Sequence, residues 1–491
     1  HAIIPLDSMI GKIHAAKDAS SDPDMHLMVR TDALSATGSY EQTLEIAQAY
    51  VEAGADSIFI EAIQTEQEVR DIPHHFSVPA VINLVEKGKT PMFPNKELQA
   101  MGYKIVFYGN ALLKASMFGV MKMLDYVQLA HVRMGENLER SSELVAQLVD
   151  IFQSGSFDAL RIVASGSSRH AADCARDYLQ DALQMQVSVV TPEAFVDFEH
   201  TYPQHALNIA VSQSGYSTNT IAALDYMCAH DMAAVALTAN VEAPIKEHTD
   251  IVLDYGVGVE SVDFVTLGVE VLVEYLVLFG IYGGQARGTI DAKGVAQRLD
   301  DLREAIHANA VMCKTAEAYV QDHMLDLSEH TPAMVVGNGP NYGVAEEAAL
   351  KLSETIKIPA MHHEGEEFVH GPEMQIVPGY LVFIVDDPQG SERLANIADA
   401  LSNVTAKTVL LTAHPKGKAH EVVVPQVAPL LSAIPNLVFF QTIAAMIAER
   451  LKSWDVHPYL DAVSKQMEVK AEGYEESVNA LKAKAAECYG M

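Results

Sequence analysis

Ile162-Val163-Ala164-Ser165-Gly166-Ser167-Ser168-Arg169-His170 reads as a short apolar strand that breaks into a Ser/Gly turn and opens a helix. The same grammar returns at Ile209–Ser212, which runs into Gln213-Ser214-Gly215-Tyr216-Ser217-Thr218-Asn219-Thr220, and at Met334–Gly337, which runs into Asn338-Gly339-Pro340. Working outward, Ile162–Ser165 pairs with Met334–Gly337, Ile209–Ser212 with Phe383–Asp386, Val235–Thr238 with Val409–Thr412, and Ile251–Leu253 with Val422–Val424. Four apolar runs recur in one order at a nearly constant offset. Apolar runs without alternation are what parallel strands covered on both faces look like. The chain from about residue 138 to 465 is therefore expected to be two homologous, doubly wound α/β units, 138–310 and 311–465.

In open parallel sheets, ligands lie beyond the carboxyl ends of the strands, where strand order switches. The turns after Ala164 and Val211 both enter helices, whose free N–H groups and positive dipole ends suit a phosphate dianion. One such turn is ordinary capping; two on successive strands of one unit point to a site. In the second unit a helix expected over Val344–Ile356 puts Lys351 and Glu354 three residues apart, on one face, although a surface ion pair has the same spacing. The segment His362-His363-Glu364-Gly365-Glu366-Glu367-Phe368-Val369-His370-Gly371-Pro372 is rich in metal-type ligands. Its Gly and Pro break regular ligand spacing. A loop that delivers one His for proton transfer is the more economical reading.

The net charge of −32 opposes a nucleic-acid or anionic-membrane partner, both of which need a basic face, but leaves room for a phosphorylated metabolite. Cys174, Cys228, Cys313 and Cys488 are scattered, the pattern of idle thiols in a reducing cytosol. Val265–Ala286 is the most apolar stretch, but it carries Glu270 and Glu274 and reads as a buried helix. Residues 1–130 alternate strand-like runs (His26–Thr31, Ser57–Glu61, Pro79–Leu84, Tyr103–Tyr108) with helical segments, a βα rhythm. Met117–Ser154 reads as helical connection and residues 466–491 as a charged helical tail. The chain opens with His1 rather than Met, which reads as a fragment or a processed chain.

Three motifs resemble the sugar isomerase (SIS) superfamily in its double-domain form: SGSSRHAA from Ser165, SQSGYSTNT from Ser212, and EEAALKLSETIKIPA…EEFVHGP from Glu346 to Pro372. The nearest types are the isomerase half of glucosamine-6-phosphate synthase and the fructoselysine-6-phosphate deglycases. The resemblance implies that Ser167, Ser168, Ser212, Gln213, Ser214 and Ser217 hold a sugar phosphate. It makes Glu354 the base that moves a proton between C1 and C2, with Lys351 near the reacting end. His370 would assist ring opening or leaving-group protonation from across a homodimer. Lys465 is the best match to a C-terminal lysine near the sugar, and Leu267 stands where a substrate loop usually ends in Lys. No segment reads as a glutaminase, so a deglycase, deaminase or isomerase acting on an amino-sugar or Amadori sugar 6-phosphate is expected, with no cofactor and no metal. A sugar-phosphate sensor without catalysis is the alternative from another class.

The N-terminal segment resembles the second half of a phosphoenolpyruvate mutase/isocitrate lyase barrel. The carriers are Val29–Ala33, Glu52–Asp56, Phe59–Glu61, Asn83 and Glu86–Pro91. This implies a partial (β/α) barrel in which Arg30 binds a carboxylate and Glu61 and Asn83 line a vestigial site. The magnesium-holding half of that family is not matched, so no lyase or mutase activity is expected from this chain alone, and phosphonate or C–C lyase chemistry from this segment is kept as the third alternative.

Overall fold

The computed structural model describes residues 3–22, 24–85, 89–108, 111–199, 201, 203, 205–260, 264–453, 463 and 466–489, with the backbone alone over 111–122 and 485–489. The chain divides into two compact units, His1–Phe118 and Gly119–Met491.

In the first unit, β1 (Met28–Thr31), β2 (Ser57–Ile60), β3 (Ala80–Asn83) and β4 (Ile105–Phe107) are parallel and lie in chain order. Helices Tyr40–Glu52, Glu66–His75 and Asn95–Met101 alternate with them, the sequence of half a βα barrel. Each run read as a strand in the sequence contains one of these, trimmed at its ends. Helix Glu66–His75 starts on a capping box, with Thr65 and Glu68 satisfying each other's backbone N–H groups. Val29, Ile58, Ile60 and Ile82 pack against Ala47, Tyr50, Val69, Ile72 and Leu98 in one core.

The second unit holds two sheets of identical topology. The first contains β5 (Ala159–Ala164), β6 (Gln186–Val190), β7 (Ala206–Val211), β8 (Ala234–Thr238) and β9 (Val252–Asp254), ordered β6-β5-β7-β8-β9. The second contains β10 (Ala333–Gly337), β11 (Ala360–His363), β12 (Leu381–Val385), β13 (Thr408–Thr412) and β14 (Glu421–Val423), ordered β11-β10-β12-β13-β14. All pairings are parallel. The repeat anticipated four strands per unit; the fifth is β6 in one and β11 in the other. Both are edge strands with half-buried residues, Ser188–Val190 and Ala360–His363, so neither carries the continuous apolar run of a central strand. The switch in strand order falls between β5 and β7, and between β10 and β12, which puts their following loops where ligands bind.

Helix Ser167–Leu183 of the first repeat packs on helix Pro340–Lys351 of the second, and helices Leu267–Arg287 and Ala433–Leu451 back them. Apolar residues from both sheets and all four helices form a single core. The helix expected over Val344–Ile356 is α-helical only to Lys351. It then widens into a π-turn, Leu352–Ile356, and stops at Lys357 in the left-handed region. Such turns concentrate at functional positions, and this one carries Glu354. Leu267–Arg287 and Pro429–Leu451 are long and apolar enough to cross a membrane, but 94% and 89% of their most apolar 18-residue stretches is buried within the fold.

Two carboxyls sit deep in that core. Glu270 accepts a hydrogen bond from Asn309 Nδ2 at 2.7 Å, and Glu274 accepts one from Asn137 Nδ2 at 3.1 Å. Burial pushes the Glu270 carboxyl up to about 8 and Glu274 well above the carboxylate range. A carboxyl whose folded pKa is raised binds more protons in the folded state, so its contribution to stability is present at low pH and lost as pH rises through the folded value. The melting temperature should therefore fall by several degrees between pH 6 and pH 9, and Glu270→Gln should flatten that slope. Scanning fluorimetry across the range measures both.

Candidate functional site

A cavity of about 300 Å³ opens at the carboxyl ends of β5 and β7. Ser167, Ser168, Ser212, Gln213, Ser214, Ser217 and Glu354 all line it. Two helices begin there: Ser167–Leu183 directly after Gly166, and Thr218–Ala229 after Ser217. The positive ends of both helices make the cavity favourable for an anion, although in the second helix Thr218 N already donates to Val469 O at 3.4 Å and Thr220 N to Asn219 Oδ1 at 2.8 Å.

The second loop is braced by its own hydrogen bonds. Ser212 Oγ accepts from Gly215 N at 3.2 Å and donates to Ser217 Oγ at 3.1 Å. Gly215 turns the chain at φ +72, and a Cβ there would lie 2.4 Å from the Ala243 Cβ. Asn219 Nδ2 donates to Ser165 Oγ at 3.0 Å, which ties this loop to the one after β5.

Beneath the cavity floor, the helix crossing carries a chain of buried charges. Lys351, 1% exposed, places Nζ 2.5 Å from Glu354 Oε1, 3.2 Å from Glu347 Oε1 and 3.5 Å from Ser167 Oγ. Ser167 Oγ donates to Glu347 Oε1 at 3.0 Å, and His170 Nδ1 lies 2.8 Å from Glu347 Oε2. Alongside, Arg169 joins Asp173 at 3.0 Å and Glu346 at 2.5 Å. Burial disfavours the charge on Lys351, but Glu347 and then Glu354 outweigh it and hold the ammonium above lysine's ordinary range. Glu347 is held below the carboxylate range because Lys351 and His170 overcome its own burial. Lys351 and Glu354 are thus far from the plain surface pair that their spacing allows.

The structure adds residues that sequence reasoning missed. Lys470, from the C-terminal tail, sets Nζ 3.2 Å from both Ser214 Oγ and Ser217 Oγ and 5.0 Å from the Tyr474 ring centre. Burial pushes its pKa below the usual lysine value, and no carboxylate among the described residues pairs with it. Its backbone bridges Ser217, Ala471 N donates to Tyr216 O at 2.8 Å, and Tyr474 and Ser477 line the cavity. Lys465, the residue expected to supply a lysine here, lies outside the described residues. No local pattern in Met467-Glu468-Val469-Lys470 marks the last residue as a ligand; only the tail's path over the loop does so.

His370 is exposed and does not line the cavity of its own chain. His362 and His363 sit half-buried on β11 instead of in a loop. In the first unit, Arg30, Glu61 and Asn83 fall at the carboxyl ends of β1, β2 and β3. Arg30 is taken up by carboxylates, Asp32 at 2.7 Å and Glu61 at 3.5 Å, and lies over the Phe59 ring.

Comparison with known proteins gives two families. The model of the SIS domain matches residues 158–279 and 306–421, and that of phosphoenolpyruvate phosphomutase matches residues 1–127. Among curated proteins, 2,3-dimethylmalate lyase of Eubacterium barkeri is 43% identical over 109 residues, 22% of this chain and 37% of the lyase. The isomerizing glutamine–fructose-6-phosphate aminotransferase of Corynebacterium diphtheriae is 25% identical over 304 residues, 59% of this chain and 49% of the transferase. The chain thus spans less than half the length of either. A candidate phosphosugar isomerase from Clostridium difficile 630 shares the fold at a TM-score of 0.64, with 23% identity over 69% of this chain and 95% of that one.

The charge chain at the helix crossing predicts a specific cost. Lys351→Met should destabilise the second unit by roughly 3–5 kcal/mol, since it leaves Glu347 buried without its cation. Adding Glu347→Gln should restore part of the loss. Urea denaturation of the single and double variants checks this.

Proposed function

From a chain that carries two SIS domains behind a phosphoenolpyruvate phosphomutase-type segment, we propose a sugar-phosphate enzyme of the isomerase type. It acts on an amino-sugar or Amadori sugar 6-phosphate. The observation that carries this reading is a single cavity that combines anion donors with a carboxylate: the hydroxyl-lined loops, two helix N-termini and Lys470, together with Glu354. The phosphate sits among Ser168, Ser212, Gln213, Ser214, Ser217 and Lys470. Glu354 takes a proton from one of the two carbons C1 and C2 and returns it to the other through an enediol or enamine. Lys351, which does not line the cavity but is buried beneath it and bonded to Glu354 and Ser167, orients the carboxylate. The name of the Corynebacterium diphtheriae relative, which includes both fructose 6-phosphate and isomerisation, supports the same substrate class.

His370 completes the reading. It is exposed and does not line its own cavity, and Met374 and Val377 near it in the chain are 83% and 52% exposed. We assign this loop to a contact with a second copy, in which His370 enters the other subunit's cavity and protonates the ring oxygen or leaving group. In a two-fold dimer the contact occurs twice, so each subunit lends one His and borrows one.

Two experiments test this. Glu354→Gln should abolish turnover of glucosamine 6-phosphate and fructoselysine 6-phosphate, followed as ammonia or lysine release, while fructose 6-phosphate still binds; full turnover in that variant removes the mechanism. Glu354→Gln and His370→Ala subunits, each inactive alone, should on mixing and reassembly recover about a quarter of wild-type activity, because half the dimers are mixed and each mixed dimer rebuilds one intact site. No recovery would place His370 outside the partner's site.

A further inference from the structure

The Gln213 carboxamide has two ends that differ in chemistry, and a ligand meets whichever end the protein turns towards it. Its Nε2 lies 2.6 Å from Glu260 Oε2. A carboxylate only accepts hydrogen bonds, so the nitrogen end must face it; the flipped amide would set carbonyl oxygen against carboxylate. One amide hydrogen goes to Glu260, and the second remains on the same nitrogen for a ligand oxygen. The backbone of Gln213 is pinned as well, its carbonyl accepting from Ala239 N at 3.0 Å and Thr238 Oγ1 at 3.1 Å.

Glu260 is itself held from the other side. It is 9% exposed and accepts from Thr266 N and Leu267 N at 2.8 Å each and from Gly268 N at 2.9 Å. These N–H groups belong to the start of helix Leu267–Arg287, so the positive end of that helix faces Glu260. Among the described residues no Lys, Arg or His pairs with it. The fit is closed: a Cβ on Gly268 would lie 2.5 Å from Gln213 Nε2 and 2.9 Å from Glu260 Oε2.

We infer that Glu260 is a positioning residue, which acts through Gln213 to fix a donor towards the phosphate seat. The inference rests on the sugar-phosphate reading of the cavity. Its element is distant in sequence from the serine loops; Glu260 also lines the cavity, where Gln213 and the three backbone N–H groups take up its charge.

The test is a double-mutant cycle read by isothermal titration with fructose 6-phosphate on the full chain. Glu260→Gln and Gln213→Ala should each weaken binding about tenfold, the scale of a lost hydrogen bond to a charged group. The double variant should bind within about twofold of Gln213→Ala alone, since both changes remove one interaction. Losses that multiply would overturn the proposal and leave Glu260 as a helix cap. If Glu260→Gln does not fold, Glu260→Asp serves: it keeps the charge at the helix start but draws the carboxylate away from Gln213. The same tenfold loss is expected, and unchanged affinity would overturn the role. A wild-type chain that binds neither fructose 6-phosphate nor inorganic phosphate would end both this proposal and the reading beneath it, whereas binding with a multiplicative cycle would end this one only.

Discussion

One ammonium group holds the site together. Lys351 belongs to the second repeat, yet its Nζ reaches Ser167 of the first repeat as well as Glu347 and Glu354 of its own helix and π-turn. A buried lysine is costly unless several acceptors surround it, and here they come from both repeats. The requirement fixes how the two helices cross. It also sets the serine loop against the carboxylate proposed to move the proton, so neither repeat alone can form the cavity.

Duplication has not made the repeats equivalent. After β7 the chain presents hydroxyls and an amide; after the corresponding β12 it presents Asp386-Asp387. Asp386 Oδ1 accepts from Ser391 N at 2.8 Å, and Oδ2 accepts from Thr412 Oγ1 at 2.7 Å, so the acid closes its own loop. Two carboxylates there repel a dianion. The second repeat has instead placed its contribution one helix further on, at Lys351 and Glu354. A duplicated fold thus yields one composite cavity, with serine-lined turns from one copy and the Lys351–Glu354 pair from the other, to which the proposed reading gives anion binding and proton transfer.

The sequence exposed what depends on periodicity. Central strands such as Ile209–Ser212 and Phe383–Asp386 are buried on both faces, so their apolar runs survive as a repeat, and the serine-rich turns after Ala164 and Val211 stand out as small donors at strand ends. Strands β6 and β11 escaped notice because an edge strand has a half-exposed face and needs no such run. The π-turn at Glu354 was also hidden: Leu352-Ser353-Glu354-Thr355-Ile356 has ordinary helical composition, and the Ser453 Oγ that donates to Thr355 O lies 98 residues further on. The Glu260–Gln213 pair spans a distance in sequence that no local pattern reports.

Lys470 shows the same limit, and it also shows why the tail matters. The chain passes back over the loop after β7, with Thr218 Oγ1 donating to Glu468 O at 2.9 Å and Ala471 N to Tyr216 O at 2.8 Å. These bonds carry an ammonium group into a hydroxyl-lined cavity, where it meets no carboxylate among the described residues. Burying a cation without an anion opposes folding of the tail onto the loop. A bound dianion reverses the sign of that term, because it supplies the missing charge beside Ser214 and Ser217. An anion of the proposed kind that satisfied Lys470 would add to the backbone bonds that hold the tail on the loop.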